Sequence, residues 1–567
     1  MVNADTAVAN VNQSSGETDF DVVVIGAGFA GLYALHRCRE MGFRTVSLEK
    51  ADSVGGTWLF NRYPGARCDI ESIEYSYSFS EEIQQEWVWT ENMPAQPEIE
   101  AYLNFVADRL DLRRDIKFTT HVVAMQFSDT DAAWTIRTEG GGDFFHRWLR
   151  DRGFGGDLVR ASRTHHRRHG VIRRRVAVHQ PLAPRDKVSF ANKRVGIIGT
   201  GSTGVQAIPV VAREAAHLTV FQRSPAYTLP WEVRSLDDGE LDEMKARYPE
   251  IRAAQREHFV GAARLTAFSF MLGMMERPRL LATSEEERQR AVEDDGVKGG
   301  ALNWSDVFTD MEANDLARRL YGRAIARIVT NPDTAASLVP SHAFGCKRPI
   351  IDQGTTRPIT ATTSHWSTCA RGALKRVIPP TGIETEQGTY DIDVIIFATG
   401  FDAMTGALTK MDIRGRWGSR CVIDGAATAP APTWDWRWLA SPPICSSSRP
   451  PPAAPAPSSN YIAVMEANVE WITDCLAHLR HRGGHRTIEA TAQAQQEWME
   501  HTTSMVKGSL FTHPSCNSWY NGGGNVAGKK KMYMGYIAGG VPEYRRRCDV
   551  AAANGYAGFD IDSAPST

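Results

Sequence analysis

The same glycine-rich turn occurs twice in this chain, each time between an apolar strand and a helix. The first copy, FDVVVIGAGFAGLYALHRCREMGFRTVSLEK, starts at residue 20, and the second, KRVGIIGTGSTGVQAIPVVAREAAHLTVFQRS, starts at residue 193. Both read as βαβ units whose glycines let the backbone approach a pyrophosphate at the helix N-terminus. The G-x-G-x-x-G positions are Gly26, Gly28 and Gly31 in the first unit and Gly199, Gly201 and Gly204 in the second. Two such units predict an α/β fold with two Rossmann-like dinucleotide-binding domains.

The two units differ at the end of their second strand, where a dinucleotide ribose would lie. Glu49 stands 23 residues after Gly26, where a carboxylate can accept hydrogen bonds from a ribose diol. The same count in the second unit reaches Gln222, and Arg223 and Ser224 follow. A guanidinium binds a 2′-phosphate that a carboxylate would repel, and a solvated surface charge is the alternative for Arg223. The pattern predicts a flavoprotein that binds FAD at the first unit and NADPH at the second.

Length, charge and cysteine usage limit the remaining possibilities. The 567 residues exceed a typical domain of about 150 several-fold, so two or three domains are expected. Lys and Arg total 64 against 66 for Asp and Glu, which provides no global field for nucleic acid. The nine cysteines contain no C-x-x-C pair, and this spacing predicts neither a zinc ribbon nor a disulfide framework. A polar N-terminus and the lack of a long apolar run predict a cytoplasmic protein without a membrane span. The histidines lack ligand spacing, so no metal site is predicted. The balanced charge predicts no nucleic-acid partner.

A third marker, YDIDVIIFATGFDA, is typical of a strand at which the chain returns to its first nucleotide fold, so the FAD domain is predicted to be discontinuous. The predicted divisions are a disordered N-terminus at 1–18, FAD-domain parts at 19–142 and 391–559, an Arg-rich linker at 143–186, an NADP domain at 187–390 and a tail at 560–567. Helical spacing of Glu, Arg, Ala and Met predicts a helical insert at 236–338 that shapes a substrate pocket.

The residues after Glu49 carry a resemblance to a known family. The sequence GGTWLFNRYPGARCD has the spacing G-x-W-x-x-x-x-Y-P-G-x-x-x-D. This spacing resembles that of the Baeyer–Villiger monooxygenases, flavin enzymes that insert an oxygen atom beside a ketone carbonyl. The stretches GTGSTGVQAIPV, FGCKRPI, FATGFDAMTG and NSWYNGGGNVAGKKK continue the resemblance, which is closest to the cyclic-ketone and steroid-type members. The lone Cys68 disfavours the dithiol chemistry of reductases that share the two-nucleotide plan.

The resemblance implies roles for individual residues. The family forms a flavin C4a-peroxide that must stay anionic and shielded from water, and a fixed cation beside the flavin meets the first need. By motif match this cation is Arg348, held by Asp69, and Lys347 contacts NADP. An ordinary ion pair between segments is the bland alternative.

The resemblance also implies a set of nucleotide contacts. Trp58 matches an aromatic wall near the flavin, and Trp519 matches a tryptophan that closes over the nicotinamide, although either could simply be a core side chain. The predicted cofactor-binding residues outside the two glycine triplets are Glu49, Gly56, Thr57, Trp58, Asp69, Ser202, Thr203, Arg223, Ser224, Lys347 and Trp519. The predicted substrates are a small-molecule ketone and O2.

Three segments depart from the family pattern. Residues 147–185 contain eleven Arg and no Lys, and they stand where the family keeps F-x-G-x-x-x-H-x-x-x-W-P. Residues 355–371 replace a tyrosine-rich loop, and residues 417–458, rich in Pro, Ala and Ser, replace strands and a turn near the flavin. Family sequence resumes abruptly after each of them. The loss of the fingerprint histidine and tryptophan puts the coupling between the two nucleotide domains in doubt.

We interpret these segments as local frame errors, because they replace expected elements instead of lengthening the chain. Rereading the coding DNA with compensating single-base shifts is expected to restore the fingerprint, and the hypothesis is wrong if no shift does so. The alternative is that the Arg/His run binds nucleic acid or anionic lipid and that the Pro-rich run is an interaction segment.

Two other functions stay open at this stage. A relative that oxygenates nitrogen or sulfur would use the same cofactors, and products from a ketone and from an amine would separate the two. A catalytically defective nucleotide-binding product of a frame-shifted gene is the other, and it would fail to bind flavin.

Overall fold

The computed structural model describes residues 20–140, 143–149, 188–258, 277–352, 364–367, 374–378, 382–401, 411–415, 460–482, 486–507, 510, 513–516, 518 and 540–563. The strands are β1 (Phe20–Ile25), β2 (Thr45–Leu48), β3 (Ile116–Lys117), β4 (Val122–Ser128), β5 (Ala133–Thr138), β6 (Asp143–Leu149), β7 (Arg194–Ile198), β8 (His217–Phe221), β9 (Thr228–Pro230), β10 (Ile350–Asp352), β11 (Ser364–Ser367), β12 (Leu374–Ile378), β13 (Gly382–Thr385), β14 (Gly388–Asp391), β15 (Val394–Phe397), β16 (Asp412–Arg414), β17 (Arg486–Ala490) and β18 (Phe559–Ser563).

The helices alternate with strands at first and then gather in two groups. They are α1 (Phe29–Glu40), α2 (Thr57–Phe60), α3 (Glu81–Glu86), α4 (Gln96–Arg109), α5 (Ser202–Glu214), α6 (Asp238–Ala246), α7 (Tyr248–Glu257), α8 (Glu285–Asp295), α9 (Val297–Ala301), α10 (Met311–Ile328), α11 (Pro332–Ser337), α12 (Tyr461–His481), α13 (Ala492–Val506) and α14 (Gly540–Ala553). Helices α6 to α11 lie in the region where the sequence predicts a helical insert. Within the described residues, no helix combines the length and apolar character needed to cross a membrane.

The first sheet has the strand order β16-β4-β5-β6-β1-β2-β3. Strand β1 is parallel to β2 and β6, as expected for an apolar strand that a helix covers. The interior residues Val22, Val23 and Val24 are at most 1% exposed, and they pack in one core with α1 and α12. The chain therefore does return to its first fold, through α12 and through β16, which is parallel to β4.

Strand β6 corrects one predicted boundary. The sequence analysis assigned residues 143–186 to a linker, but residues 143–149 form β6. This strand pairs with β1 on one side and with β5 on the other. The strand's own sequence, DFFHRWL, contains a single Arg, and it was assigned to the linker with the Arg-rich residues that follow it.

The second sheet has the order β11-β8-β7-β15, and every neighbouring pair is parallel. Strand β15 aligns Val394 with Val195 and Phe397 with Ile198. The predicted start of the second FAD part at residue 391 is therefore too early, because residues 394–397 complete the NADP sheet. Both sides of this strand are buried, and its even hydrophobicity carries no information about which sheet it joins.

A disulfide joins Cys346 and Cys516, whose Cα atoms lie 5.5 Å apart. The sequence analysis predicted no disulfide framework, and this single bond differs from that expectation without forming one. Its partners are 170 residues apart in the chain, so sequence spacing could not pair them. Among the described cysteines, Cys38, Cys68, Cys475 and Cys548 are not in disulfides.

Several predictions fall on residues outside those described. Trp519 is one of them, and so are residues 1–18. The three aberrant segments also lie outside, except residues 147–149 in β6 and residues 364–367 in β11.

The first glycine turn is closed by a backbone contact that allows no side chain. A Cβ at Gly31 would lie 2.0 Å from the carbonyl oxygen of Gly26. Gly31→Ala is therefore expected to lower the free energy of unfolding by roughly 1–3 kcal/mol, the usual cost of overpacking. Urea unfolding followed by circular dichroism measures the change. Gly140→Ala is the matched control, since a Cβ there meets nothing within 4 Å, and an equal loss in both variants would contradict the prediction.

Candidate active site

The Glu49 carboxylate lies beside the first glycine turn and is held there by backbone donors. The backbone N–H of Ala27 donates to Glu49 Oε2 at 2.7 Å, and that of Ala51 donates to Oε1 at 2.8 Å. Glu49 is only 4% exposed, so the carboxylate is fixed in direction. Each oxygen has a second lone pair beyond the one these donors use, so it can still accept a ribose hydroxyl. The residues present therefore fit the adenosine ribose of FAD.

The second glycine turn leaves open space where a pyrophosphate would approach. A Cβ at Gly201 would meet nothing within 4 Å, whereas a Cβ at Gly204 would lie 2.2 Å from the carbonyl oxygen of Gly199. Ser202 and Thr203 form the first residues of α5. The free N–H groups and the dipole at this helix N-terminus favour a phosphate, so the turn fits a dinucleotide.

Basic side chains gather beyond the end of β8. Arg223 and Ser224 are exposed, while Gln222 is buried and its Nε2 donates to the Ser337 carbonyl oxygen at 2.8 Å. Burial, followed by the positive charge of Arg223, lowers the pKa of Lys347. The amide of Gln222 thus replaces the carboxylate that would face an unphosphorylated ribose, and the nearby cations favour a 2′-phosphate.

His342 belongs to the same group, and the sequence analysis missed it. Burial, followed by the positive charge of Lys347, lowers the pKa of His342 to about 4. Its Nε2 has no hydrogen-bond partner within the described part of the chain. No motif marks this histidine, because its burial arises only when the chain folds.

The segment after Glu49 packs directly on the first glycine turn. Gly56 has a positive φ of 52°, and a Cβ there would lie 2.9 Å from the Cα of Gly28. Thr57 and Trp58 begin α2, and Trp58 Nε1 donates to the Tyr75 hydroxyl at 3.2 Å. This contact fixes the indole beside the FAD-binding turn.

The structure brings Asp69 and Arg348 together, although 279 residues separate them in sequence. Arg348 Nε lies 2.7 Å from Asp69 Oδ2, and Nη2 donates to Oδ1 at 2.9 Å. The guanidinium is therefore bound by both carboxylate oxygens, the geometry that holds its plane most firmly. The side chains are 21% and 30% exposed, so the pair borders open space and is not sealed in the core.

The loop from Tyr63 to Asp69 makes a second contact with the NADP domain. The Tyr63 hydroxyl donates to Gln206 Oε1 at 2.7 Å, and Gln206 Nε2 donates to the Arg67 carbonyl oxygen at 3.0 Å. Gly65 has a φ of 76°, and a Cβ there would lie 2.2 Å from the Gln206 carbonyl oxygen. Burial raises the pKa of Tyr63 to about 12, which keeps the hydroxyl protonated as a donor. Helix α5 therefore docks on this loop through its second turn.

The predicted residues thus form two connected groups. The FAD side contains Glu49 and the segment from Gly56 to Asp69, and the NADP side contains the second glycine turn, Arg223 and Lys347. Asp69 and Arg348 join them, and Trp519 lies outside the described residues. The sequence analysis missed Gln206 as a contact residue, although it stands inside the quoted stretch GTGSTGVQAIPV and a polar residue within that helix was its only signal.

Comparisons with known proteins agree with this architecture. Residues 24–84 match the family model described as an NAD(P)-binding Rossmann-like domain. A Baeyer-Villiger monooxygenase of Pseudooceanicola batsensis is 35% identical over 96% of this chain and 97% of its own length. The acetone monooxygenase (methyl acetate-forming) of Gordonia sp. is 33% identical over 96% of this chain and 99% of its own.

A solved structure, that of OTEMO in complex with FAD and NADP, superposes with a TM-score of 0.81 at 29% identity. It covers 96% of this chain and all of its own length. On this evidence the chain belongs to the Baeyer–Villiger monooxygenase family, whose members bind FAD and NADP.

Proposed function

We propose that this protein uses NADPH and O2 to insert an oxygen atom beside the carbonyl of a small-molecule ketone, which gives an ester or a lactone. The observation that carries the proposal is the paired contact of Arg348 with Asp69 between the two nucleotide sites. FAD, when bound and reduced by NADPH, supplies the activated oxygen. The protein's own residues bind the two cofactors, set their relative position and provide the charge that the oxygen transfer needs.

Arg348 is the proposed catalytic cation. A guanidinium does not lose its proton in a protein, so it offers a positive charge at any working pH. This charge stabilises negative charge that develops on oxygen, and a group already held in place needs no reorganisation when the reaction occurs. Asp69 is the proposed positioning residue, because its two oxygens fix the plane of that guanidinium.

The cation group at the second site is proposed to select NADPH over NADH. Arg223 offers a fork of donors for the 2′-phosphate, and Lys347 adds a second positive charge. A bound phosphate would also offset the burial and the neighbouring charge that lower the pKa of Lys347. The ammonium is then favoured most when the cofactor is present.

The Tyr63–Gln206 contact is proposed to set the distance between the two cofactors. Gln206 lies on α5, whose N-terminus carries the second glycine turn, and Tyr63 lies on the loop that ends at Asp69. A change in this contact would move the nicotinamide site relative to Arg348. Hydride transfer depends steeply on such distances.

We also propose that the protein works in the cytoplasm, where NADPH is regenerated. The ketone's identity depends on pocket residues among α6 to α11. Oxygenation of an amine or a sulfide remains the competing outcome, and product analysis with each substrate class separates it from ketone oxidation.

Arg348→Ala is expected to reduce ester formation by at least about 100-fold, the usual effect of removing one charge-stabilising group from a site. Reduction of the flavin by NADPH, followed as loss of visible absorbance under anaerobic conditions, should stay within a few-fold of the parent rate. Arg348→Lys is expected to form ester at a rate between those of the parent and Arg348→Ala, because it keeps the charge but loses the two-point contact with Asp69.

Arg376→Ala is the matched control for Arg348→Ala. Its guanidinium also pairs with a carboxylate, with Nε 2.6 Å from Glu384 Oε2, but on the antiparallel strands β12 and β13. Ester formation should be unchanged in this variant. Persistence of ester formation in Arg348→Ala near the parent rate would show that Arg348 does not act on the transferred oxygen.

Tyr63→Phe is expected to slow flavin reduction at saturating NADPH by roughly five-fold, which corresponds to about the 1 kcal/mol of one hydrogen bond. Gln206→Ala also removes the hydrogen bond to the Arg67 carbonyl oxygen, so its effect should be at least as large. The double variant should be no slower than Gln206→Ala, because the Tyr63 contact is already lost. Stopped-flow absorbance measures these rates. Gln289→Ala removes an exposed helical glutamine that donates to Glu293 and should leave the rate unchanged. Additive losses in the double variant would contradict a shared contact.

A further inference from the structure

The disulfide between Cys346 and Cys516 lies next to the proposed catalytic cation. Cys346 precedes Lys347 and Arg348 directly in the chain. Neither cysteine of the pair has measurable exposure to solvent. The bond therefore links the turn that carries Arg348 to a segment 170 residues further along the chain.

The Cys346 side of the bond is held by several contacts. The side chain of Asn314, on α10, binds both backbone groups of Phe344: its Nδ2 donates to the carbonyl oxygen at 3.0 Å, and its Oδ1 accepts from the N–H at 2.9 Å. The N–H of Cys346 donates to the Ala343 carbonyl oxygen at 3.2 Å. Through Asp69, Arg348 is in turn fixed to the FAD side. Cys346 therefore lies on a rigid support.

The Cys516 side rests on a small apolar cluster. Leu510 and Cys516 pack with Ala343 and Cys346, and the backbone N–H of Cys516 donates to the His513 carbonyl oxygen at 2.9 Å. This cluster contributes little apolar area compared with the main cores of the protein. The covalent bond at Cys516 adds a direct link to the Arg348 turn beyond this packing.

None of the remaining described cysteines is in a disulfide. Cys68 lies beside Asp69, close to the same ion pair, but the structure leaves it as a free buried thiol. Burial, followed by the negative charge of Asp69, raises the pKa of Cys68, which keeps it protonated and unreactive. Cys548 is the partly exposed free cysteine among those described, and it lies on α14.

We propose that Cys346 and Cys516 form a reversible redox site, which peroxide oxidises to the disulfide and which a dithiol reduces. In the oxidation, one thiolate attacks hydrogen peroxide and forms a sulfenic acid with release of water. The second thiol then displaces water from that sulfur and forms the S–S bond. Two thiols and one H2O2 thus give one disulfide and two H2O, and the peroxide is reduced.

The chemistry suits the setting of the pair. Hydrogen peroxide is the side product of a flavin monooxygenase whose activated oxygen meets water instead of substrate. Because neither sulfur is exposed, peroxide and a dithiol react with the pair only when local opening of the fold uncovers it. Thiols in a cytoplasm oppose the oxidation, so the state of the pair reports the balance between wasted turnover and the cell's reductants.

The oxidised state fixes the Arg348 turn and the Leu510–Ser518 segment relative to one another. Peroxide released by wasted turnover would therefore make the surroundings of Arg348 more rigid, and reduction would release this constraint. The proposal goes beyond the proposed oxygenation. Only the measurement of ester formation rests on the proposed oxygenation.

Peptide mapping of the FAD-loaded protein tests the site without using its activity. One sample is treated with dithiothreitol, another with dithiothreitol, desalting and then hydrogen peroxide, and both are alkylated and digested without reductant. Mass spectrometry should find alkylated Cys346 and Cys516 peptides in the first sample and one cross-linked peptide in the second. Alkylated thiols in both samples would overturn the proposal. So would a bond that dithiothreitol opens only in urea, because that bond would be a permanent bridge.

Variants connect the cross-link to function. The oxidised parent is expected to melt roughly 3 °C or more above the reduced parent, because the bond closes a long loop. It should also form at least about twice as much ester per NADPH consumed. Cys516→Ser should have the melting temperature and the ester yield per NADPH of the reduced parent, and peroxide should change neither value. Cys548→Ser should respond to peroxide as the parent does.

The outcomes separate the two proposals. A response of Cys516→Ser to peroxide equal to that of the parent would overturn the redox site. If no sample forms an ester from any ketone, the oxygenation proposal fails, while the peptide map and the melting temperatures still decide the redox site.

Discussion

The docking of one short loop determines how the two halves of this protein work together. The loop from Tyr63 to Asp69 belongs to the FAD side, and it contacts the NADP side at Gln206 and again at Arg348. The loop residues that make these contacts, Tyr63 and Asp69, are six positions apart, whereas their partners Gln206 and Arg348 are far apart in the NADP domain sequence. A shift of the loop would therefore disturb the second nucleotide site and the proposed catalytic cation together, and the loop fits the proposed coupling of reduction to oxygen transfer.

This docking also bears on the missing family fingerprint. The segment that should carry its histidine and tryptophan is Arg-rich in this chain, and the sequence alone therefore leaves domain coupling in doubt. The Gln206 amide and the Arg348 guanidinium supply polar contacts between the domains that do not involve that segment. Gly65 adds a backbone approach that any side chain would prevent. These contacts provide a route for coupling that depends only on residues in the intact parts of the chain.

The sequence carries signals for local features and little information about contacts between distant segments. The glycine spacing, Glu49 and Arg223 each carry a signal within one βαβ unit, because the ligand itself imposes the local pattern. Strand β15 was assigned to the wrong sheet, since a buried parallel strand reads the same in either. His342 and Cys516 gave no signal at all, because the burial of one and the bonding partner of the other arise only on folding. The Asp69–Arg348 pair was predicted only through the family resemblance.

Cysteine spacing indicates whether a disulfide scaffold is present, but it does not predict a single bond between distant segments. The absence of C-x-x-C motifs disfavours a disulfide scaffold, and nothing in the described structure resembles one. A single bond across 170 residues serves another purpose, since a protein of this size has large apolar cores and does not need a staple to fold. The bond lies between the turn that carries the proposed catalytic cation and Cys516, whose apolar cluster among the described residues is small. Its location is explained by control of geometry near Arg348 better than by global stability.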